Sequence, residues 1–478
     1  MRWIGIIVAT VIIFAGLQYV HSENPSQPFR TSSVEDPIMA VTYRMQLRTA
    51  KRETEVIVTP HERPATFGIH LNYEEPSSSW DLDAIIDEVR RANPGIIVIY
   101  GGTSGESMEK LYALAVRLEM DAGVSMIVIR VHAKLTQEVW DFFAQQISEG
   151  YTYDLDSMDP LVPVVEMVSK WRGYGPSPVK DRRAIWDWFP GAWMFGKTKL
   201  PPHCVREREY VRRLSGNPDL TFAEFAALRG WAIQMYNEPD LRVEWQDVNG
   251  PPWSGEVWDN RYTDLLGYIV CAAIGGWITA AYEADFPTIL DEEYYNRFDI
   301  RRPRVVIPDV SGASRGSRGS YIAGCTKAWL GFRAERTGYG EGFYRALTRG
   351  IEFIYGLHSY PPCDNYERAI QYTLEDISSV MSAPLTWRST GTVGMTTPFE
   401  VVVTEWGCAY NPAYPATRED QRRVMRLLLQ RTNVPVAWWV GVGRNCGFGN
   451  TAHNTPSHWD NVALWDKEGH VCVDEAQK

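Results

Sequence analysis

Two glutamates occupy positions at which a pair of carboxyl groups could act as an acid and a nucleophile. Glu238 directly follows the apolar run WAIQMYN, and Glu405 directly follows the run VVVT. Each is followed by residues that turn the chain, PD after the first and WG after the second. Two carboxyl groups about 5–5.5 Å apart, one protonated and one ionised, can cleave a glycosidic bond with retention of configuration. The fold must therefore bring two segments that are distant along the chain to one site.

Short β-rich apolar segments alternate with longer segments of helical periodicity, as in repeated βα units around a parallel sheet. We predict strands within residues 65–73, 94–102, 125–133, 230–239, 303–311, 352–360, 399–407 and 434–442. We predict helices at residues 82–92, 107–123, 263–284 and 417–432. The predicted fold class is α/β, a (β/α)8 TIM barrel with long loop insertions. The C-terminal ends of barrel strands converge on one face, so strands four and seven can deliver two carboxylates to one site.

The residues around both glutamates resemble the motifs of a known enzyme superfamily. YNEPD at 236–240 is similar to the Asn-Glu-Pro signature on strand four of clan A glycoside hydrolases, which include cellulases, mannanases and β-xylosidases. TEWG at 404–407 resembles their strand-seven nucleophile motif. The resemblance implies that Glu238 is the acid/base, Glu405 the nucleophile and Asn237 the hydrogen-bond donor to the sugar 2-hydroxyl. It implies a retaining glycosidase that cleaves O-glycosidic bonds of an oligo- or polysaccharide through a covalent intermediate.

The sixth and third predicted strands carry further candidates for the same site. The sixth ends in LHSYPP, where similarity to the superfamily implies that Tyr360 hydrogen-bonds the nucleophile and keeps it ionised. His358 has the same inward parity, and it is either a substrate-binding residue or a hydrogen-bonded core histidine. On the third strand Arg130 and His132 share a face, where one of them could steady the nucleophile or the asparagine. Arg130 could equally form an interior salt bridge.

Adjacent tryptophans on the eighth predicted strand are candidates for sugar stacking. Trp438 and Trp439 point to opposite sides of the strand because side chains alternate. Similarity to the superfamily makes Trp439 the floor of the catalytic subsite and places Trp438 behind it, and the reverse assignment stays open. His70 and Asn72, near the end of the first strand, are weaker candidates.

The implied chemistry requires opposite shifts of the two carboxyl pKa values. Hydrogen-bond donors such as the Tyr360 hydroxyl should keep Glu405 ionised, whereas desolvation and the nearby negative charge should raise the pKa of Glu238. The sequence has no HExxH helix, no GxSxG elbow and no Gly-rich phosphate loop. We therefore expect a metal-free hydrolysis that uses no cofactor.

The charge and the N-terminus limit the partners and the location. A formal net charge of −11 disfavours nucleic acid, which attracts basic surfaces, and is compatible with a neutral carbohydrate.

Arg2 precedes an apolar run that ends at Val20, the pattern of a signal peptide, and the run is also about as long as a short membrane-spanning helix. The protein is then secreted, or it is tethered through residues 3–20 and faces outward. The expected domains are a signal peptide or N-terminal membrane anchor (1–22), a linker (23–62) and a TIM-barrel glycoside hydrolase domain (63–478).

Seven cysteines are spaced without a CxxC pair, so no zinc or iron–sulfur site is predicted. The odd number leaves at least one thiol free or paired with another chain. In an exported protein, Cys408 could pair with Cys446 and Cys325 with Cys363, whereas Cys271 is expected to be a buried free thiol.

Two long connections and the C-terminus complete the expected organisation. Residues 140–229 are predicted to be an insertion whose aromatic stretch 185–195 covers the barrel mouth, and SGASRGSRGS at 311–320 is predicted to be a mobile loop. Little room remains for a helix after strand eight, so another segment, for example 40–60, would have to shield that strand.

Three other functions stay open. One is a catalytically inactive carbohydrate-binding barrel, against which the presence of both glutamates argues. The second is a transglycosylase that uses the same two glutamates, and analysis of the products would distinguish it. The third is a membrane-tethered interaction protein, which an uncleaved N-terminus and an exposed, unpaired Glu238 would favour.

Overall fold

A computed structural model describes most of the chain after residue 65. The described residues are 66–73, 80–101, 104–131, 135, 190–245, 253–254, 256–281, 304–330, 352–382, 400–408, 417–442 and 463–472. The segments assigned above to the signal peptide or anchor and to the linker lie outside this set.

Eight parallel strands form a closed barrel in which each strand pairs with its neighbours in the chain and the first pairs with the last. The strands are β1 (Phe67–Asn72), β2 (Ile96–Gly101), β3 (Met126–Val131), β4 (Ala232–Met235), β5 (Arg304–Pro308), β6 (Glu352–Ser359), β7 (Glu400–Trp406) and β8 (Val436–Trp438). Each lies within a segment predicted from its apolar run. The prediction of an α/β TIM barrel is confirmed.

Helices precede or follow the strands on the outside of the barrel. In the described segments they are α1 (Leu82–Ala92), α2 (Gly105–Met120), α3 (Pro190–Lys197), α4 (Val205–Ser215), α5 (Phe222–Arg229), α6 (Thr263–Ala281), α7 (Arg318–Leu330), α8 (Tyr366–Met381) and α9 (Arg418–Arg431). Capping residues set several N-termini. Thr221 and Thr417 each form a capping box with the acidic residue three positions later. None of the described helices is long and apolar enough to cross a bilayer.

Alternate residues of each strand face the barrel interior or the helices. A compact layer of small and branched side chains fills the interior: Ile96, Val98, Val128, Ala232, Val306, Ile354, Val402 and Ala437. The space is narrow at Gly68, where a Cβ atom would lie 2.3 Å from the Ile96 side chain. Nearer the C-terminal ends of the strands the buried residues include the polar side chains of His70, Arg130 and Gln234, so the packed interior forms the floor of a partly polar mouth.

The segment 311–320 is helical, and the prediction of a mobile loop there is wrong. Residues Gly312–Ser317 form a 3-10 turn that leads directly into α7. The turn is held because the Ser311 hydroxyl and backbone N–H both donate to Asp240, at 2.6 and 2.7 Å. Arg315 donates to Asp376 at 2.5 Å. Composition alone suggested mobility, but these long-range partners order the segment.

The described part of the aromatic stretch 185–195 belongs to the outer helical layer. It forms most of α3, and Phe195 packs on Phe222 of α5 and Trp277 of α6, with ring centroids 4.8 and 5.5 Å apart. For residues 190–195 the expected cover of the barrel mouth is therefore wrong, because they form an outer helix whose Phe195 ring is buried between helices and whose Trp193 ring is exposed. Residues 140–189 and 40–60 lie outside the described set. The described residues after β8 contain no helix.

The disulfides differ from the suggested pairs. Cys271 of α6 bonds to Cys325 of α7, and Cys363 after β6 bonds to Cys408 after β7. The expectation of a free Cys271 and both suggested pairings are therefore wrong. Helix packing and adjacent strand ends, which the cysteine spacing does not reveal, decide which thiols meet. Cys472 is also disulfide-bonded, whereas Cys204 is a free thiol.

Candidate active site

Glu238 lies just past the end of β4 on a segment with unusual backbone geometry. Tyr236 has a φ of 60°, in the left-handed region that bulky residues rarely adopt, so the chain changes direction before Asn237 and Glu238. The next turn is rigid. The Leu241 N–H donates to the Glu238 carbonyl at 2.9 Å, and the Trp245 indole N–H donates to the Pro239 carbonyl at 2.7 Å.

Glu405 lies near the end of β7, where an irregular register turns it into the barrel. On β6 and β7, Leu357 pairs with Val403, but the next pair is His358 with Glu405. The extra residue, Thr404, places Glu405 on the same face as His358, as a β-bulge does. The Glu405 side chain is 4% exposed.

Hydrogen-bond donors and cations surround the Glu405 carboxylate. Arg130 Nη1 donates to Oε1, and the Tyr360 hydroxyl donates to Oε2. His358 Nδ1 lies 3.6 Å from Oε2, and His70 Nδ1 lies 3.8 Å from Oε1. Burial alone would raise the pKa of Glu405, but His358, Arg130, His70 and the Tyr360 hydroxyl together lower it to about 2. Glu405 is therefore ionised at neutral pH.

Glu238 and Glu405 meet at one imidazole. His358 Nδ1 lies 3.1 Å from Glu238 Oε1 and 3.6 Å from Glu405 Oε2. The two oxygen atoms are therefore no farther apart than the sum of these distances, about 6.7 Å, and retaining glycosidases hold their carboxyl groups about 5–5.5 Å apart. The two carboxylates share the C-terminal end of the barrel.

The pKa of Glu238 shifts in the opposite direction from that of Glu405. Burial raises it, His358 opposes this, and the charges of Glu405 and Asp240 raise it further. The Glu238 side chain is 16% exposed, more than that of Glu405. The pKa of one carboxyl group is thus raised while its side chain remains partly accessible, whereas the other carboxyl group is buried and ionised.

The pKa values of the two histidines shift in opposite directions. Burial lowers the pKa of His358, but the two adjacent carboxylates outweigh burial and raise it. Burial lowers the pKa of His70 to about 3, so His70 is neutral at neutral pH and is charged only in the strongly acidic range where Glu405 also titrates. Its Nδ1 lies 3.2 Å from the Thr404 carbonyl and donates to it, because a carbonyl oxygen only accepts.

Trp438, the last residue of β8, and Trp439, which follows it, lie on opposite sides of the barrel wall. The ring of Trp439 meets the His70 ring edge-on, with centroids 4.3 Å apart, so Trp439 borders the mouth. Trp438 is buried, and it lines an apolar cavity of about 360 Å³ outside the barrel with Phe67 and Met425. The peptide bond between Trp439 and Val440 is cis.

A buried ionic network supports the end of β6. The His358 N–H donates to Asp309 Oδ2 at 3.0 Å. Arg318 binds both Asp309 oxygen atoms, at 2.8 and 2.9 Å, and Asp376 at 2.9 Å. The Ser359 hydroxyl donates to the other oxygen of Asp376 at 2.8 Å. These bonds fix the segment that carries His358 and Tyr360.

Glu244, a third carboxylate beside the site, was not among the residues predicted from the sequence. Asn237 Nδ2 donates to Glu244 Oε1 at 3.2 Å. Burial raises the pKa of Glu244, Arg130 opposes the rise, and the charges of Glu238 and Glu405 add to it. The signal available in the sequence was its place in the loop directly after strand four.

Most of the predicted site residues come together in the structure. Glu238, Glu405, His358, Tyr360 and Arg130 are joined by direct contacts, and Trp439 adjoins them through His70. Asn237 lies next to Glu238 in the chain and contacts Glu244. His132 lies outside the described residues. Asn72 ends β1 at the same face.

One group of side chains in the described segments could hold a metal ion. It consists of Asp466, Glu468 and His470 on a largely exposed turn. The backbone N–H groups of Glu468 and His470 both donate to Asp466 Oδ1, at 3.0 and 2.8 Å. The cluster is therefore explained by the turn itself.

The similarity of this chain to known proteins is structural and weak. No family model matches the sequence, and no curated protein matches it. The fold is similar to the catalytic domain of a mannanase from Streptomyces sp. SirexAA-E, with a TM-score of 0.33 and 12% sequence identity over 87% of this chain and 89% of that one.

Proposed function

We propose that this protein is a retaining glycoside hydrolase, with Glu405 as the nucleophile and Glu238 as the acid/base. The observation that carries the proposal is the approach of both carboxylates to His358, which places Glu238 Oε1 and Glu405 Oε2 no more than about 6.7 Å apart. This bound includes the separation of about 5–5.5 Å found in retaining enzymes. The opposite pKa shifts of the two carboxyl groups match the two roles. The substrate class is an oligo- or polysaccharide.

In the first step an oxygen of Glu405 attacks the anomeric carbon while the glycosidic C–O bond breaks. Glu238 gives its proton to the leaving oxygen. The ester formed at Glu405 no longer carries a charge, so the pKa of Glu238 falls and its carboxylate can act as a base. In the second step Glu238 takes a proton from water, the water oxygen attacks the anomeric carbon, and the sugar–Glu405 bond breaks.

The surrounding residues have supporting roles in this proposal. Arg130 and Tyr360 bind the two oxygen atoms of Glu405 separately and hold it ionised. His358 orients both carboxyl groups, and Trp439 provides an aromatic face for the sugar ring. Asn237 donates to the sugar 2-hydroxyl. No step of this mechanism requires a metal or a cofactor.

Substitution of each glutamate tests the two roles. Glu405→Gln is expected to abolish hydrolysis of an activated aryl glycoside, because no nucleophile remains. Glu238→Ala should retain partial activity that azide increases, because a good leaving group needs little acid help and azide replaces base-assisted water. Glu256→Gln is the matched control, since Glu256 is exposed on a nearby turn. Unchanged turnover in the Glu405 or Glu238 variant would refute the assignment.

The first product distinguishes this proposal from its alternatives. Aryl α- and β-glycosides of several sugars, followed by NMR, should yield a product with the anomeric configuration of its substrate. A product of inverted configuration would exclude the retaining mechanism. Glycosides extended by added sugars, rather than free sugar, would indicate a transglycosylase, and binding without turnover would indicate an inactive carbohydrate-binding barrel.

We further propose that the protein is exported. Two disulfides, Cys271–Cys325 and Cys363–Cys408, join described residues, and disulfides persist in oxidising compartments. The apolar N-terminal run supplies a targeting signal. Mass spectrometry of the protein purified from its native source should show a chain that begins near residue 23 if the signal is cleaved. A full-length chain in the membrane fraction would favour the tether, and a reduced cytosolic protein would contradict export.

A further inference from the structure

Glu244 is held beside the catalytic pair by a stiff turn. Residues Arg242–Glu244 form a 3-10 turn after β4, and the Glu244 N–H donates to the Leu241 carbonyl at 3.0 Å. The following residue, Trp245, is buried and stacks on Trp258 with ring centroids 5.7 Å apart. The carboxylate is thus presented by a fixed backbone rather than by a freely moving loop.

The contact between Glu244 and Asn237 constrains the orientation of the asparagine side chain. The amide nitrogen of Asn237, and not its oxygen, faces Glu244, whose Oε1 accepts its N–H at 3.2 Å, and the ionised form of a carboxylate can only accept hydrogen bonds. Nδ2 carries a second N–H, which the Glu244 contact does not use. Asn237 Oδ1 is buried without a hydrogen-bond partner among the described residues. Without Glu244 the carboxamide could rotate by half a turn and present its oxygen in place of its nitrogen.

We propose that Glu244 is a positioning residue that orients Asn237 toward the 2-hydroxyl of the sugar bonded to Glu405. This inference rests on the proposed function. The second N–H of Asn237 donates to that hydroxyl, and the charge of Glu244 polarises the amide and strengthens the bond. Hydrogen bonds to the 2-hydroxyl strengthen in the transition state of glycoside hydrolysis. Glu244 therefore acts on kcat more than on KM, and only for sugars that have a 2-hydroxyl.

The test compares Glu244→Gln with the wild type on three aryl glycosides. Glucose and mannose differ only in configuration at C2, so their aryl β-glycosides share a single 2-deoxy analogue, which serves as the reference for both. The substitution should lower kcat by about tenfold or more, the contribution of one charge-assisted hydrogen bond, on whichever 2-hydroxy glycoside the wild type hydrolyses. It should change kcat on the 2-deoxy glycoside by less than about twofold. Glu256→Gln removes the same charge from a nearby exposed turn and should change neither rate.

A purely structural role for Glu244 gives a different pattern. The positioning role is overturned if Glu244→Gln lowers kcat equally on the 2-hydroxy and 2-deoxy substrates, or on neither. The proposed function is still supported in that case, because the wild type hydrolyses the substrates. Asn237→Ala should abolish the effect of Glu244→Gln in the double variant, because the two residues act through one bond. Additive losses would also overturn the proposal.

A binding measurement separates this inference from the proposed hydrolysis. Calorimetry with two iminosugars, 1-deoxynojirimycin with a hydroxyl next to the anomeric position and isofagomine without one, needs no turnover. Glu244→Gln should weaken binding of the first by about tenfold and leave the second unchanged. If the wild type hydrolyses none of the glycosides but shows this difference, only the proposed function falls. If the variant binds both like the wild type, the role of Glu244 falls, and if nothing is bound or hydrolysed, both fall.

Discussion

Replacing Arg130 by Met should shift the acid limb of the pH–activity profile upward. Arg130 is buried and donates to Glu405 Oε1. The charged and hydrogen-bonding neighbours of Glu405 lower its pKa from 4.5 to about 2, which corresponds to about 3 kcal/mol in favour of the ionised nucleophile. Burial opposes them, and Arg130 is the second strongest of the groups that lower the pKa, after His358. Its removal should raise the pKa by at least about one unit, or about 1.4 kcal/mol.

The assay is kcat/KM on an activated aryl glycoside as a function of pH, because this quantity reports the ionisations of the free enzyme. In the wild type, kcat/KM should fall on the acid side only where Glu405 becomes protonated, near the low end of the accessible pH range. In Arg130→Met this acid limb should move up by about one to two pH units, and Arg117→Met, on the outer helix α2, should leave it in place. Coincident acid limbs for Arg130→Met and wild type would refute the electrostatic role of Arg130.

The same contact affects stability with a defined sign. The pKa of Glu405 in the folded protein lies below its unfolded value, so its ionisation stabilises the fold above about pH 4.5, and this contribution is lost as the pH falls toward 2. Arg130→Met should weaken this dependence, because it brings the folded pKa closer to the unfolded one. Urea unfolding at several pH values measures the change. An equal pH dependence in both proteins would contradict the reasoning.

Two further changes should lower the free energy of unfolding. Arg318→Met leaves the carboxylates of Asp309 and Asp376 buried without their shared cation, so we expect a loss of roughly 3–5 kcal/mol in urea unfolding. The paired substitution of Cys363 and Cys408 by Ser opens a link between residues 45 positions apart and should cost about 4 kcal/mol through the greater entropy of the unfolded chain.

Two control variants show whether the loss of stability comes from the buried contacts or from replacing any arginine or cysteine. Arg426→Met removes an exposed arginine paired with Glu419 and should cost less than about 1 kcal/mol. Cys204→Ser removes the thiol that is free and should leave the unfolding midpoint nearly unchanged. Each control should lose much less free energy of unfolding than its test variant. If a control loses as much as the Arg318 or the Cys363–Cys408 variant, the buried network or the disulfide is not the source of the stability.

The strand positions and the two candidate catalytic residues were accessible from the sequence, because their signals are local. A run such as VVVT is apolar enough to be a buried strand wherever it lies, and Glu405 and Glu238 follow such runs directly. The alternation of these runs with helical periodicity was enough to predict the closed barrel. Strand order and direction then follow because consecutive βα units lie beside each other in the sheet and cross over with the same hand.

Tertiary structure alone decided how the side chains meet. The extra residue at Thr404 turns Glu405 toward His358, and the strand pattern does not reveal it. The order of the segment 311–320 depends on Asp240, which is distant in the chain, and the bond between Cys271 and Cys325 depends on the packing of α6 on α7. Glu244 has no motif of its own. Periodicity reports what one segment buries, whereas these features are set by contacts between segments far apart in the chain.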